Sequence, residues 1–131
     1  GLSADLYEPE DFTIEGGHRA ATKLLGSGAI DERPTAIFAV SDEMAIGAVL
    51  AARELGLNVP GDVSIIGIDG HDRGAFFQLT TIDQFPHAQG ERAAAAILSR
   101  LEPGGGAAAS NSGDLPFRLV ERATTGPVSR T

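Results

Sequence analysis

Two apolar runs rich in branched residues, TAIFAV (35–40) and VSIIGID (63–69), constrain this chain more than any other feature. Neither alternates polar with apolar, so both read as buried strands and not as half-exposed antiparallel ones. Between them, residues 41–56 carry Met44, Ala48, Ala51 or Ala52, and Leu55 at helical spacing, with Gly56 as a C-terminal stop. A strand, a helix and a strand joined by short connections form a crossover unit, and such units are nearly always parallel and right-handed. The loop LNVPGD precedes the second strand, and its Pro60 and Gly61 break any continuation of the helix.

The rest of the chain extends this pattern. IEGGHRAATKLLGSG (14–28) sets Ala20 or Ala21, Leu24 and Leu25 on one helical face, although two internal glycines leave the helix start open. LTTID (79–83) is a short strand, and HAQGERAAAAILSRL (87–101) is an alanine-rich helix. EPGGGAAASNSGD (102–114) reads as a flexible loop by composition, and PFRLVER (116–122) as a final strand. Alternating strands and helices predict an α/β fold, a doubly wound, mostly parallel sheet flanked by helices. At 131 residues the chain fits one such domain.

Charge and composition exclude several functions. A formal net charge of −8 leaves no basic surface for neutralising nucleic-acid phosphates, so any DNA contact must come from elsewhere. The absence of cysteine removes disulfides, thiolate nucleophiles and cysteine metal sites. No apolar run approaches the roughly 18 residues of a membrane span. The acidic start GLSADLYEPED is unlike a signal peptide, and the chain reads as a piece of something longer.

Ser41, Asp42 and Glu43 follow the first strand. Adjacent carboxylates on a helix diverge, and no nucleophile motif accompanies them, so catalysis is not supported. Ser41 or Asp42 can instead cap the helix that begins there. In doubly wound sheets ligands lie beyond the C-terminal strand ends, which is where residue 41 falls, so capping and ligand contact are compatible. The same rule selects Asp69, at the end of IIGID, as an acceptor for ligand hydroxyls, with a plain turn aspartate as the alternative. Gln84, just past LTTID, is a third polar group at that edge. Together Ser41, Asp69 and Gln84 suit a polyol better than a phosphate. Phe12 offers a flat ring for stacking on a sugar or base, although a lone aromatic is more often core.

His18, His71 and His87 are scattered and form no metal site. The GGG at 104–106 is followed by no Lys-Ser or Lys-Thr, and DEMA has no Walker A partner, so nucleotide hydrolysis is rejected and no cofactor is expected. From Met44 to Ala52 every residue is apolar or glycine, more than one buried face requires. Burial in a larger core and self-association compete as explanations. The adjacent rings of Phe76 and Phe77 favour an interface, through Ile46, Val49, Leu50 and Arg53.

Taken in order, DFTIEGGHRAATKLL, RPTAIFAVSDEMAIGAVLAARELGLNVPGDVSIIGID, LTTIDQFPHAQGERAAAAIL and LPFRLVERATTGP resemble the C-terminal half of LacI/GalR-type bacterial transcription repressors. The resemblance implies a periplasmic-binding-protein-like effector domain of two lobes, with a sugar or nucleobase held between them. It implies a cytoplasmic, non-enzymatic regulator, a homodimer or higher homo-oligomer, that reaches operator DNA through an N-terminal region absent from this chain. On this reading residues 1–131 are the C-terminal lobe, and helix 87–101 belongs to the other lobe, so it should swing out, disorder or pack on another copy. Phe12 then matches the stacking aromatic, Ser41, Asp69 and Gln84 match effector contacts, and Asp42 matches a helix cap. The helix from residue 42 and the segment around Phe77 match the dimer surface. Gly70 departs from the repressor pattern, and GIDG resembles periplasmic sugar carriers, which keeps a transport protein as the alternative. VPGDVSIIG and LVERATTGP favour the repressor.

Overall fold

The computed structural model describes residues 6–26, 33–101 and 115–127. The element order is α1 (Ile14–Gly26), β1 (Ala36–Phe38), α2 (Asp42–Glu54), β2 (Ser64–Asp69), a 3-10 helix (Asp72–Ala75), β3 (Thr80–Asp83), α3 (Pro86–Leu101) and β4 (Arg118–Val120). Every expected strand and helix is present, and the expected loop 102–114 lies outside the described residues. The sheet runs β1-β2-β3-β4, with the first three strands parallel and β4 antiparallel to β3. This is the open, mostly parallel α/β sheet with helices that the sequence pattern predicts.

Helix α2 packs on β2 on one side and on α1 on the other. That double contact explains its nearly uncharged sequence, because a helix covered on opposite sides buries more than one stripe. Ile46 and Val49 are 2% and 0% exposed and belong to the chain's own core with Leu25, Ile65 and Leu79. Their assignment to a dimer surface is therefore corrected. Leu50 and Phe77 pack partly on the same core, Arg53 is exposed, and the ring that stands free in the Phe pair is Phe76. Full burial of each large apolar side chain contributes roughly 1.5–3 kcal/mol, so this α1–α2–sheet core carries most of the stability.

One of the two glycines that left the start of α1 open, Gly17, brings the two helices together with Gly47 of α2. A Cβ on Gly17 would run into the backbone carbonyl of Met44, and one on Gly47 into that of Ile14. Each glycine gives up helix propensity to permit backbone contact between α1 and α2.

TAIFAV is not a buried strand. Among the described residues β1 is an edge strand, with Phe38 and Val40 exposed. By register, Phe38, Ile66, Ile68, Ile82 and Leu119 share the sheet face opposite α2, and among the described residues no helix covers it. Helix α3 has no buried residue and does not tuck onto its own sheet, leaving Ile97, Leu98 and Leu101 in solvent. The C-terminal segment is stitched in by Thr124, whose hydroxyl donates to the Ile65 carbonyl at 2.7 Å and accepts from Thr80 N at 2.8 Å.

Candidate functional site

The three parallel strands end at one edge. Asp69 closes β2 directly opposite Asp83 of β3, and Gln84 follows. Gln84 Nε2 donates to Asp69 Oδ1 at 3.2 Å, so the sheet register joins two of the sequence-selected residues. Ser41 lies past the end of β1 at the same edge. Phe12 is not joined to them: its ring is 67% exposed ahead of α1, and no hydrogen bond or ring contact among the described residues links it to this edge.

The cap assignment is reversed. Ser41 has extended backbone and is the N-cap of α2, its Oγ accepting from Met44 N at 3.2 Å. That hydroxyl keeps its own proton for donation, but the side chain is buried. Asp42 is the first helical residue and has turned inward, with 0% exposure. Its Oδ1 accepts from the Thr81 hydroxyl at 2.6 Å and its Oδ2 from His71 N at 2.7 Å. Burial raises its pKa above the ordinary carboxylate value, and these two hydrogen bonds oppose the rise.

Two open recesses flank the Asp69–Gln84 pair. The larger, about 670 Å³, is lined by Gly70, Asp72, Asp83, Phe85, Pro86 and His87. The smaller, about 290 Å³, is lined by Gln84 with Ile68, Ile82, Gln89, Leu115 and Phe117. Of the sequence-selected residues only Gln84 lines a recess; Asp69, Ser41 and Phe12 line neither, although Gly70, next to Asp69, and Asp83, its partner in register, line the larger. Asp83 accepts from Phe85 N at 2.9 Å and from Arg118 Nη2 at 3.1 Å, and the Arg118 guanidinium lies 5.3 Å from the Phe85 ring centroid. The edge therefore carries carboxylate and amide acceptors, aromatic and proline surface, and one arginine already engaged by Asp83. This chemistry accepts hydrogen bonds from hydroxyls, and its carboxylates repel phosphate.

Sequence reasoning passed over Thr81, read only as part of a strand. A hydroxyl on the strand face turned to a helix N-terminus was the available signal. It also passed over Phe85 and Arg118. Gly70, noted only as a departure, has φ +73°, and a Cβ there would meet the Asp83 carboxylate at 2.6 Å. His18 pairs with Glu54 at 2.8 Å, and His71 Nδ1 accepts from Arg73 N at 3.0 Å. Among the described residues no cluster of three or more His, Cys, Asp or Glu could hold a metal ion, and no helix is long and apolar enough to cross a membrane.

Comparison with known proteins places this geometry among relatives. The family described as a periplasmic binding protein-like domain matches residues 3–125. The HTH-type transcriptional repressor PurR of Proteus mirabilis is 42% identical over 93 residues, which is 70% of this chain and 26% of that protein. The HTH-type transcriptional regulator MalR of Streptomyces coelicolor is 42% identical over 119 residues, 86% of this chain and 32% of that protein. Among solved structures, a LacI family transcriptional regulator from Lactobacillus casei with bound sucrose aligns with a TM-score of 0.80 and 26% identity, over 95% of this chain and 45% of that one. A LacI family regulator from Enterococcus faecium with bound ribose gives 0.73 and 31%, over 92% and 43%. The chain spans 26% and 32% of the lengths of those two curated relatives.

Proposed function

As the chain belongs to the periplasmic binding protein-like domain family, we propose that it is the effector-binding part of a LacI-type transcription regulator whose effector is a sugar. The observation that carries this reading is the Asp69–Gln84 hydrogen bond at the C-terminal edge of the parallel strands, a pair of neutral and acceptor groups beside open recesses. Asp69 accepts two sugar hydroxyls, Gln84 orients the ring, and Ser41 donates from the neighbouring strand end. Phe12, exposed ahead of α1 in the same lobe, offers its ring to the C–H face of the sugar. The ribose and sucrose bound by the neighbouring regulators support a sugar, and the regulator names of the curated relatives favour this reading over a transport carrier.

The regulator acts by binding and without turnover. Effector binding shifts the population between two lobe arrangements, and this changes DNA affinity through a region outside this chain. Helix α3, bare on its own sheet, belongs to the second lobe. The regulator is a cytoplasmic homodimer, and its surface in this chain is drawn from Leu50, Arg53, Phe77 and the free ring of Phe76, with Ile46 and Val49 withdrawn from it.

Selection of bound sequences from a random DNA pool by the complete regulator, repeated with ribose, glucose and sucrose, tests this. The expected result is one enriched sequence whose retention changes at least about five-fold with one of the sugars, the lower range of ordinary allosteric coupling. Failure to enrich any sequence would remove the regulator reading.

A further inference from the structure

Asp69 holds a φ of 126°, a backbone region that an L residue adopts only when its surroundings enforce it. The enforcing contacts are on the two peptide groups that follow. Gly70 N donates to Thr81 Oγ1 at 3.3 Å, and His71 N donates to Asp42 Oδ2 at 2.7 Å. The Thr81 hydroxyl in turn donates to Asp42 Oδ1 at 2.6 Å. One buried carboxylate and one buried hydroxyl thus grip both N–H groups after the residue that carries the site carboxylate. They tie that turn to the start of α2 and to β3. By contrast, among the described residues the Asp69 side chain is hydrogen-bonded by Gln84 Nε2 alone.

We infer that Asp42 and Thr81 are positioning residues, holding the Asp69–His71 turn so that the Asp69 carboxylate stays beside Gln84 at the strand edge. Both oxygens of Asp42 accept. Asparagine keeps one acceptor and turns a donor on the other partner, so it cannot replace both. Thr81 accepts from Gly70 and donates to Asp42 through one atom, a role serine can fill and valine cannot. The inference rests on Asp69 as an effector contact, and its test separates the two ideas.

The protein is prepared as wild type, Asp42→Asn, Thr81→Val, Thr81→Ser and Asp69→Ala. The Gln84 side-chain amide is followed by NMR, and affinity is measured for ribose, glucose and sucrose as probes. Asp42→Asn and Thr81→Val should move the Gln84 amide towards its position in Asp69→Ala and weaken sugar binding about ten-fold or more. Thr81→Ser should restore both, which a loss of core stability alone would not do. If Asp42→Asn and Thr81→Val leave the Gln84 amide and the affinity as in wild type while Asp69→Ala alters them, the positioning role is overturned and the site stands. If Asp69→Ala leaves the Gln84 amide unmoved, the Asp69–Gln84 unit falls and the inference goes with it. Where Asp42→Asn does not fold, the Thr81 pair decides the matter in the same way.

Discussion

Replacing Gly47 by alanine sets helix propensity against packing, and the structure says which prevails. Alanine in place of an interior helical glycine favours the helix by about 1 kcal/mol. In α2, however, the new Cβ would overlap the Ile14 carbonyl oxygen and stand 2.6 Å from His18 N. Both obstacles are backbone, so α1 as a whole must retreat. Overpacking of this kind costs typically about 1–3 kcal/mol, and an immovable obstacle takes it to the upper end. A retreat that exposed some ~40 Å² of apolar surface around Ala21, Leu25 and Val49 would cost about 1 kcal/mol more. The balance is a loss of about 2–3 kcal/mol. For a domain of this length that lowers Tm by roughly 6–12 °C, between the ranges for smaller and larger domains. Thermal unfolding followed by circular dichroism reads it. Gly90→Ala is the control: a Cβ there meets nothing within 4 Å, and α3 has no buried residue to couple it to the core, so the substitution should raise helicity without lowering Tm. A Gly47→Ala protein as stable as wild type would refute the backbone contact between α1 and α2.

Other outcomes follow from the same contacts. Ser41→Ala removes the α2 cap and should cost about 1 kcal/mol in urea unfolding, and an unchanged midpoint would return the cap to Asp42. Burial raises the folded-state pKa of Asp42 above its ordinary 3.8, so the folded protein binds that proton more tightly than the unfolded chain. This group therefore adds stability as pH falls through its folded pKa towards 3.8, and loses it as pH rises again. The Tm of wild type relative to Asp42→Asn should accordingly improve between pH 7 and 4, and a constant difference would contradict the burial. Leu98 projects from a helix with no buried residue, so Leu98→Ser should change the stability of this chain by less than about 0.5 kcal/mol, whereas a loss above 1 kcal/mol would mean that α3 packs.

The elements were legible because each carries its own local signal: branched runs for β1 and β2, Ser41 and Gly56 bracketing α2, and helical spacing in α1 and α3. Their partners were less so. The apolar excess of α2 reads equally as an interface or as a helix covered on two sides, and only the position of α1, permitted by Gly17 and Gly47, decides for the core. The edge position of β1 is likewise a matter of sheet order, which the run TAIFAV does not encode. At the site, strand ends and residue types were enough to bring out Asp69 and Gln84, which the register then joins. Ser41 and Asp42 exchanged roles because either can cap a helix, and the choice depends on Thr81 and His71 N, distant in sequence, drawing the Asp42 carboxylate inward. Phe12 was chosen as a flat ring and again by resemblance, and its ring has no partner at this edge among the described residues.

The central claim, that a sugar is recognised through Asp69, is tested most directly by ligand-induced thermal stabilisation of the complete regulator. Ribose, glucose and sucrose are titrated against wild type and Asp69→Ala. A ligand that binds only the folded form adds about 2.7 kcal/mol at one hundred times its Kd, a shift of several degrees. The account predicts that shift for at least one of these sugars in wild type and its loss in Asp69→Ala. An equal shift in both proteins, or none with any of the three sugars in wild type, would contradict it.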